Sequence, residues 1–587
     1  MHLGKQLKPM IFTRRITRLA VLLLAALLIG GCSSPLRERV DEISKLFPYL
    51  EVTPTPFLPV TATLPPPPTA TPTVTPSPMP TPPPALAVWL DSSLPPALRA
   101  AIHLPAGVAA APSRDQATLI VGAVRGGPPL QSQWVYALAA PFPTLVDDAD
   151  LAEIQAAWRG QPSERFGGQP LLMAAETRAA FTAWWGPAAE EGVRVLPQED
   201  ILEAAWQAPT AWAIVPFEDL EPRWKVLRVE GISPLDRDFD AQAYPLTIWF
   251  GVSGSEAAIN GLQAELAGGP GLFPTSNRDP QKLTVLVMTG VTALARATAA
   301  KMDTLGVTYP ASDIHDWLYN ADLLHISNEV SFNPECPPGD PLSTSMMFCS
   351  RPEYIQLLDY IGTDIVELSG NHNNDWGRKA FSYTLELYQE RGWKTFAGGA
   401  NLEAAAQPAL VEHNGQRLAF IGCNPVGPEW VFATPTEPGA LLCNLDTLAA
   451  AVQDLRAQGY LPIVTFQYNE YYQFKPSETQ QRDFRKMAEA GAVIVSGSQA
   501  HFPQTFEFYG GTLIHYGLGN LFFDQMDIPV KGTRRAFIDR HVFYDGRYLG
   551  VELLTTMLED YARPRPMTPE ERQALLMDAF SAAGWLK

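Results

Sequence analysis

Residues 364–377, with the sequence DIVELSGNHNNDWG, decide the fold of the longest module of this chain. An apolar run rich in β-branched residues stops abruptly, and amide, imidazole and carboxylate side chains follow it. This order predicts a buried strand that delivers polar groups to a loop at its carboxyl end, where open α/β sheets place their sites. In the alternative interpretation, the Asn and Asp side chains only cap the helix that begins near Arg378.

Four further apolar runs end in polar residues in the same way. We therefore expect five strand ends to meet at one edge of the module. The runs and the polar residues after them are Asp322–Ser327 with Glu329, Ile463–Phe466 with Gln467 and Glu470, Ala492–Val495 with Gln499 and His501, and Leu513–Tyr516 with Asn520.

Sequence patterns typical of turns and helix starts separate these apolar runs. Asn414-Gly415 between apolar segments predicts a hairpin. Three pairs with the spacing of a capping box predict helix starts, namely Ser350 with Glu353, Ser477 with Gln480, and Thr568 with Glu571.

The length and charge of the chain limit what it does. A chain of 587 residues is too long for one hydrophobic core, so several are expected. The formal net charge is −19, without a basic patch or a nucleic-acid-reading motif. Nucleic acid is therefore excluded as an expected partner.

Residues 1–31 have the pattern of a bacterial lipoprotein signal peptide. A basic start precedes a short apolar run, residues 19–29, and Ile29-Gly30-Gly31-Cys32 resembles a lipobox. Cys32 is then the lipidated first residue, and the protein is extracytoplasmic and anchored to the bacterial cell membrane. An uncleaved signal anchor is the alternative, and it also places the bulk of the chain outside the cytoplasm.

A stalk is expected in residues 32–84, after the anchor. Residues 52–84 hold 14 of the 55 prolines of the chain, together with many Thr residues. Pro-rich sequence of this kind favours an extended polyproline II conformation, which would reach about 100 Å here.

The four cysteines beyond Cys32 lie in two close pairs. In an oxidising compartment they favour two local disulfides, Cys336–Cys349 and Cys423–Cys443, among three possible connectivities. Four buried thiols are the alternative.

Residues 85–269 show an independent α/β pattern. They resemble the type 2 periplasmic solute-binding fold, particularly its phosphate-binding branch, in the segments 147–160 and 212–246. The oxyanion-binding turn of such proteins is absent, and Ala174-Ala175-Glu176-Thr177 lies near its place. Because a carboxylate repels phosphate, a spacer or docking role competes with ligand binding.

The C-terminal module, residues 282–563, precedes a final helix within residues 564–587. The module resembles the CapA family of poly-γ-glutamate capsule-synthesis proteins, whose domain is similar to calcineurin-like metallophosphatases. The resemblance rests on the Asn371-His372 loop with Asp375-Trp376-Gly377, on Gly399–Ala404, on Tyr516–Asp524 and on Glu329. It implies a metallophosphatase-like α/β sandwich, which follows the solute-binding-like α/β domain of residues 85–269.

The departures from the family fall on its expected metal ligands. The opening Gly-Asp of the family is Gly290-Val291 here, and Gln467 and Gln499 replace histidines. Transition metals prefer imidazole or carboxylate to a neutral amide oxygen. The ligands that the resemblance leaves are Glu329, Asn371, His372 and His501. They are expected to hold no metal or one divalent ion (Mn, Fe or Zn), and not the pair that two-metal catalysis requires.

Three hypotheses follow for function. The first is a surface lipoprotein that acts with an anionic envelope polymer, or with its synthesis machinery, through a domain of weakened or lost catalysis. The second is an active metal-dependent hydrolase of phosphoesters or amides, with His372, Asp375 and Glu470 as catalytic residues. The third is an oxyanion sensor in which the middle module binds the ligand.

Replacement of Cys32 by Ala should leave an unprocessed precursor, because the lipidated cysteine directs signal-peptide removal in a lipoprotein. The measurement is the mass and the detergent partitioning of the chain from membranes. A Cys32→Ala protein that matures and partitions like the unmodified chain would show that the anchor is assigned wrongly.

Overall fold

Three large β-sheets form the framework of the protein. The computed structural model describes them within residues 85–586, without Gly126, Pro209 and Pro529. The predicted signal peptide, Cys32 and the stalk lie outside the described residues. Within the described part, no helix combines the length and hydrophobicity needed to cross a bilayer.

The first sheet lies in the middle module. Its strands are β1 (Leu86–Leu90), β2 (Val108–Ala110), β3 (Leu119–Ala123), β4 (Gln131–Pro141), β5 (Asp148–Ala149), β6 (Leu171–Met173), β7 (Val193–Val195), β8 (Ala213–Pro216), β9 (Trp224–Val229) and β10 (Thr247–Gly254). The helices are α1 (Pro96–Ala100), α2 (Leu151–Trp158), α3 (Ala175–Trp185), α4 (Ile201–Gln207) and α5 (Glu256–Leu266). The strand order is β2-β1-β3-β10-β4-β8-β6-β7, and β9 pairs with β4 and β5. The fully buried centre of β4 connects the two halves of this sheet.

The C-terminal module contains the other two sheets. Its strands are β11 (Leu283–Thr292), β12 (Leu323–Asn328), β13 (Ile365–Glu367), β14 (Lys394–Phe396), β15 (Gly398–Gly399), β16 (Ala409–His413), β17 (Gln416–Cys423), β18 (Gly439–Ala440), β19 (Leu461–Phe466), β20 (Ile494–Ser496), β21 (Phe506–Tyr509), β22 (Thr512–His515), β23 (Asn520–Phe522), β24 (Arg535–Tyr544), β25 (Arg547–Glu559) and β26 (Arg563–Pro566). The helices are α6 (Arg296–Leu305), α7 (His315–Tyr319), α8 (Ile355–Tyr360), α9 (Arg378–Arg391), α10 (Leu402–Ala405), α11 (Leu445–Ala457), α12 (Glu478–Glu489) and α13 (Pro569–Ala582).

These two sheets pack face to face between layers of helices. One sheet has the order β14-β13-β12-β11-β24-β25-β26, and the other has the order β16-β17-β19-β20-β22-β21. Met288 and Ile463 meet between the sheets, whereas their neighbours Val287 and Val464 face the outer helices, as the two-residue period of a strand requires. The predicted α/β fold class is confirmed.

The parallel strands β11 to β14 and β17, β19, β20 and β22 set the position of the site. Their carboxyl ends lie at one edge of the sandwich, where the predicted polar residues follow. The predicted hairpin is confirmed, because Asn414 and Gly415 take positive φ values of 46° and 77° between β16 and β17.

The capping predictions have mixed outcomes. The box at Thr568 and Glu571 is confirmed at the start of α13. Ser477 caps α12 alone, because the Gln480 side chain instead donates to Gln504 and to the Tyr516 carbonyl. The box at Ser350 is wrong. Its hydroxyl donates to the Leu294 carbonyl at 3.0 Å, and a 3₁₀ turn precedes α8.

A shared core joins the middle module to the C-terminal module. The Phe142 ring lies 5.6 Å from Phe506 and 5.9 Å from Phe580 of α13. Asp147 accepts two hydrogen bonds from Arg572, at 2.7 and 2.8 Å. Burial opposes ionisation of Asp147, but Arg572 and Lys225 hold its pKa well below the usual range. The described residues therefore form one compact unit.

Both predicted disulfides are present. Cys336 and Cys349 have Cα atoms 5.8 Å apart, and those of Cys423 and Cys443 are 5.0 Å apart. The first bridge closes the loop in front of α8. The second joins the end of β17 to the segment that enters α11.

Replacing Cys423 and Cys443 by Ser should lower the free energy of unfolding by about 2–4 kcal/mol, because the bridge restrains the unfolded chain. Urea titration measures the loss, and peptide mapping without reduction verifies the bridges. Free thiols, or a bridge between the two pairs, would contradict the assignment.

Candidate functional site

A buried carboxylate, Glu367, holds three strand ends together beneath the site. It accepts hydrogen bonds from Ser327 at 3.0 Å and from Ser369 at 2.6 Å, and it also accepts one from Ser498. These hydroxyls follow or end β12, β13 and β20, so the contacts cross from one sheet to the other. Burial opposes ionisation, but the neighbouring His325 and the hydrogen bonds from the hydroxyls keep the pKa of Glu367 below its ordinary value.

The strand ends deliver four predicted site residues to one cleft. Glu329, His372, Glu470 and His501 all line this cleft, whose volume is about 560 Å³. His501 Nε2 lies 3.8 Å from Glu329 and 3.6 Å from Glu470. The structure therefore brings together side chains that are up to 172 positions apart in the chain (501 − 329).

Asp375 orients His372 within the loop that opened the sequence analysis. The two side chains are 2.7 Å apart, and the Phe348 amide donates to the same carboxylate oxygen at 2.7 Å. Burial lowers the pKa of His372, but the hydrogen bond to Asp375 and the charges of Glu329, Asp375 and Glu470 raise it above its ordinary value. The arrangement favours a proton on Nδ1.

Asn520 fixes the second imidazole, that of His501. The Asn520 side chain donates to the carbonyls of His501 and Thr533, so its oxygen, 2.8 Å from His501 Nδ1, acts as the acceptor. In the neutral ring, the unprotonated Nε2 then faces Glu329 and Glu470.

The other polar side chains of the loop hold its shape. Asn373 donates to the carbonyls of Leu368 and Gly370, and Asn374 donates to that of Val431. No side chain caps α9, which begins after Gly377. The alternative interpretation, in which Asn and Asp side chains of the loop only cap this helix, is therefore wrong.

The three positions that depart from the family pattern are buried. Val291 is fully buried in β11, and its amide donates to the Gly519 carbonyl at 3.0 Å. Gln467 and Gln499 are 1% and 0% exposed, and their side-chain oxygens have no hydrogen-bond partner. Among the described residues, no three His, Cys, Asp or Glu side chains are arranged to hold a metal ion. The residues thus do not fit a pair of transition-metal ions.

Two contributors to the site were missed by sequence reasoning. Glu367 had one signal, since it is an acidic residue inside an apolar strand. Arg296 had none. It takes a positive φ of 47°, forms an ion pair with Asp524, and places its guanidinium 4.8 Å from the Phe348 ring and 5.1 Å from the Phe523 ring.

In the middle module, the turn that replaces the oxyanion-binding segment lies at the start of α3. Glu176 is exposed there and Thr177 is buried.

Sequence comparisons match the C-terminal module to known proteins. The family described as "Bacterial capsule synthesis protein PGA_cap" matches residues 285–525. "Capsule biosynthesis protein CapA" of Bacillus anthracis is 26% identical over 300 residues, which cover 50% of this chain and 72% of that protein. "PGA biosynthesis protein CapA" of Bacillus subtilis is 25% identical over 177 residues, covering 30% of this chain and 47% of that protein.

Among solved structures, Haemophilus influenzae NAD nucleotidase aligns with 51% of this chain and 56% of its own, at 9% identity and a TM-score of 0.28. An ABC-type phosphate transport receptor from Vibrio cholerae covers 26% of this chain and 75% of its own, at 12% identity and a TM-score of 0.22.

The family match, residues 285–525, includes Glu329, His372, Glu470 and His501 of the cleft. Residues 285–525 of the C-terminal module thus match this family of bacterial capsule synthesis proteins, and the chain is similar to the CapA proteins of two Bacillus species.

Proposed function

We propose that this protein is a lipid-anchored, extracytoplasmic member of the CapA family that acts in the synthesis, export or anchoring of an anionic envelope polymer such as poly-γ-glutamate. The chain keeps Glu329, Asn371, His372 and His501 of the family pattern, but it no longer catalyses hydrolysis with two metal ions. The family match and the printed functions of the Bacillus relatives support the capsule role.

One observation carries the loss of two-metal chemistry. Val291, Gln467 and Gln499 are buried, and they stand at the positions where the family resemblance expects a carboxylate and two imidazoles. Two adjacent ions need enough anionic or imidazole donors to fill both coordination shells. Glu329, His372 and His501 do not supply them.

The hydrolase hypothesis is the second candidate, and the His372–Asp375 pair favours it. A histidine held at 2.7 Å by a carboxylate is the usual arrangement of a metal-ligating or proton-transferring imidazole. In that case Glu329, Asn371, His372 and His501 would bind one ion, which would supply a Lewis acid. Glu470, 3.6 Å from His501, would accept a proton.

The substitutions Val291→Asp, Gln467→His and Gln499→His together should raise the uptake of manganese or zinc toward two ions per chain. They should also produce phosphodiesterase activity, because they restore the missing donors. Elemental analysis and hydrolysis of a bis(4-nitrophenyl) phosphate probe measure both effects. Gln467→His with Gln499→His alone avoids a new buried carboxylate and should give a smaller gain in uptake.

Gln458→His is the matched control, since Gln458 is exposed after α11, and it should change neither quantity. The unmodified chain should hold no pair of manganese, iron or zinc ions. Two tightly bound equivalents in the unmodified chain, with turnover abolished by His372→Ala, would contradict the proposal and establish the hydrolase.

A further inference from the structure

Three histidines and an aspartate are buried between the two sheets of the C-terminal sandwich. We call His325, His515, Asp539 and His541 the buried histidine cluster, and each is at most 1% exposed. They lie on β12, β22 and β24, away from the residues that line the cleft. Phenylalanine rings pack against His325 and His515. Ionisable groups are costly in such surroundings, so their presence requires an explanation.

The cluster joins one sheet to the other. His515 lies on β22 in one sheet, and its Nδ1 is 2.6 Å from the carboxylate of Asp539, which lies on β24 in the other sheet. An ionised carboxylate only accepts hydrogen bonds, so His515 Nδ1 donates this one. A change in the charge of the cluster therefore acts directly on the packing of the two sheets.

His541 is the member of the cluster whose protonation depends most on burial. Its Nδ1 is 2.9 Å from the Tyr548 hydroxyl, whereas its Nε2 lies 4.0 Å from Asp539 and has no hydrogen-bond partner. Burial lowers the pKa of His541 to about 4. The charge of Asp539 opposes this effect, and the imidazoles of His515 and His325 reinforce it. β11, the strand beside β24, contributes apolar side chains to the same core. The folded protein thus keeps His541 neutral at a pH where an exposed histidine takes up a proton.

The cluster also lies beside the carboxylate that positions the cleft. His325 Nε2 is 3.5 Å from Glu367, which accepts hydrogen bonds from Ser327, Ser369 and Ser498. The bond from Ser498 also crosses between the sheets. Weaker packing of the sheets at the cluster would therefore release the strand ends that these hydroxyls hold.

We propose that the buried histidine cluster is an acid-sensitive device, which holds the two sheets together at neutral pH and weakens their packing when the pH falls. An imidazolium at His541 would be a buried cation near two other imidazoles, while Asp539 is already bound to His515. In the unfolded chain the ring is hydrated and takes up the proton more readily. The stabilisation is therefore fully present above about pH 6.5 and is lost as the pH falls toward 4.

Urea titration of the full chain between about pH 7.5 and pH 4.5 measures this dependence. A proton that binds only the unfolded state lowers the folding equilibrium constant by about tenfold for each pH unit. His541→Gln removes the titrating ring and keeps a polar side chain, so this variant should lose that tenfold dependence. The readout is the difference in slope between the two proteins, which a merely structural role of His541 would not produce.

His103→Gln is the matched control, because His103 is an exposed histidine of the middle module. Its pH dependence should equal that of the unmodified chain. Equal slopes in the unmodified chain and in His541→Gln would overturn the proposed device.

Hydrogen exchange of the unmodified chain gives the answer if His541→Gln does not fold. After correction for intrinsic exchange rates, the amides of β22 and β24 should lose protection as the pH falls from about 7 to about 5. Those of β3 and β10 in the middle module should keep it longer. Protection that stays constant in β22 and β24, or that is lost first in β3 and β10, would overturn the device.

Discussion

The completely buried carboxylate of Glu367 is the constraint on which the site depends. Hydroxyl groups from three strand ends, Ser327, Ser369 and Ser498, converge on it, and His325 lies 3.5 Å from it. A hydrogen bond to a charged group contributes about 1.5–3 kcal/mol, so the three hydroxyls hold the three strand ends in one arrangement. The loops that carry Glu329, His372 and His501 all begin within a few residues of these contacts. Glu367 therefore positions the strand ends that carry the residues of the cleft.

The charge of the cleft bears on the proposed role. Glu329 and Glu470 lie in it, and both would repel an anionic chain such as poly-γ-glutamate. In the proposed function, Val291, Gln467 and Gln499 replace metal ligands and leave the scaffold of the sandwich intact.

Strand ends were the part of the site that sequence could predict. Runs of β-branched residues that stop at Asn, His, Glu or Gln define both the strand and its polar terminus, and parallel strands place those termini together. Ser350 was misassigned because its tertiary hydrogen bond to Leu294 overrides a local capping pattern. Arg296 and the junction between Phe142 and Phe506 had no sequence signal, since each depends on contacts between segments more than 200 residues apart. The unpartnered oxygen of Gln499 likewise became visible only with the packing around it.

The central claim is that the cleft does not hold the two-metal centre of a metallophosphatase. A crystal structure of the protein grown with manganese and zinc, with anomalous data recorded for both metals, tests this most directly. The proposed function predicts no pair of metal peaks in the cleft. A pair of manganese or zinc peaks about 3.5–4 Å apart in the cleft would contradict it.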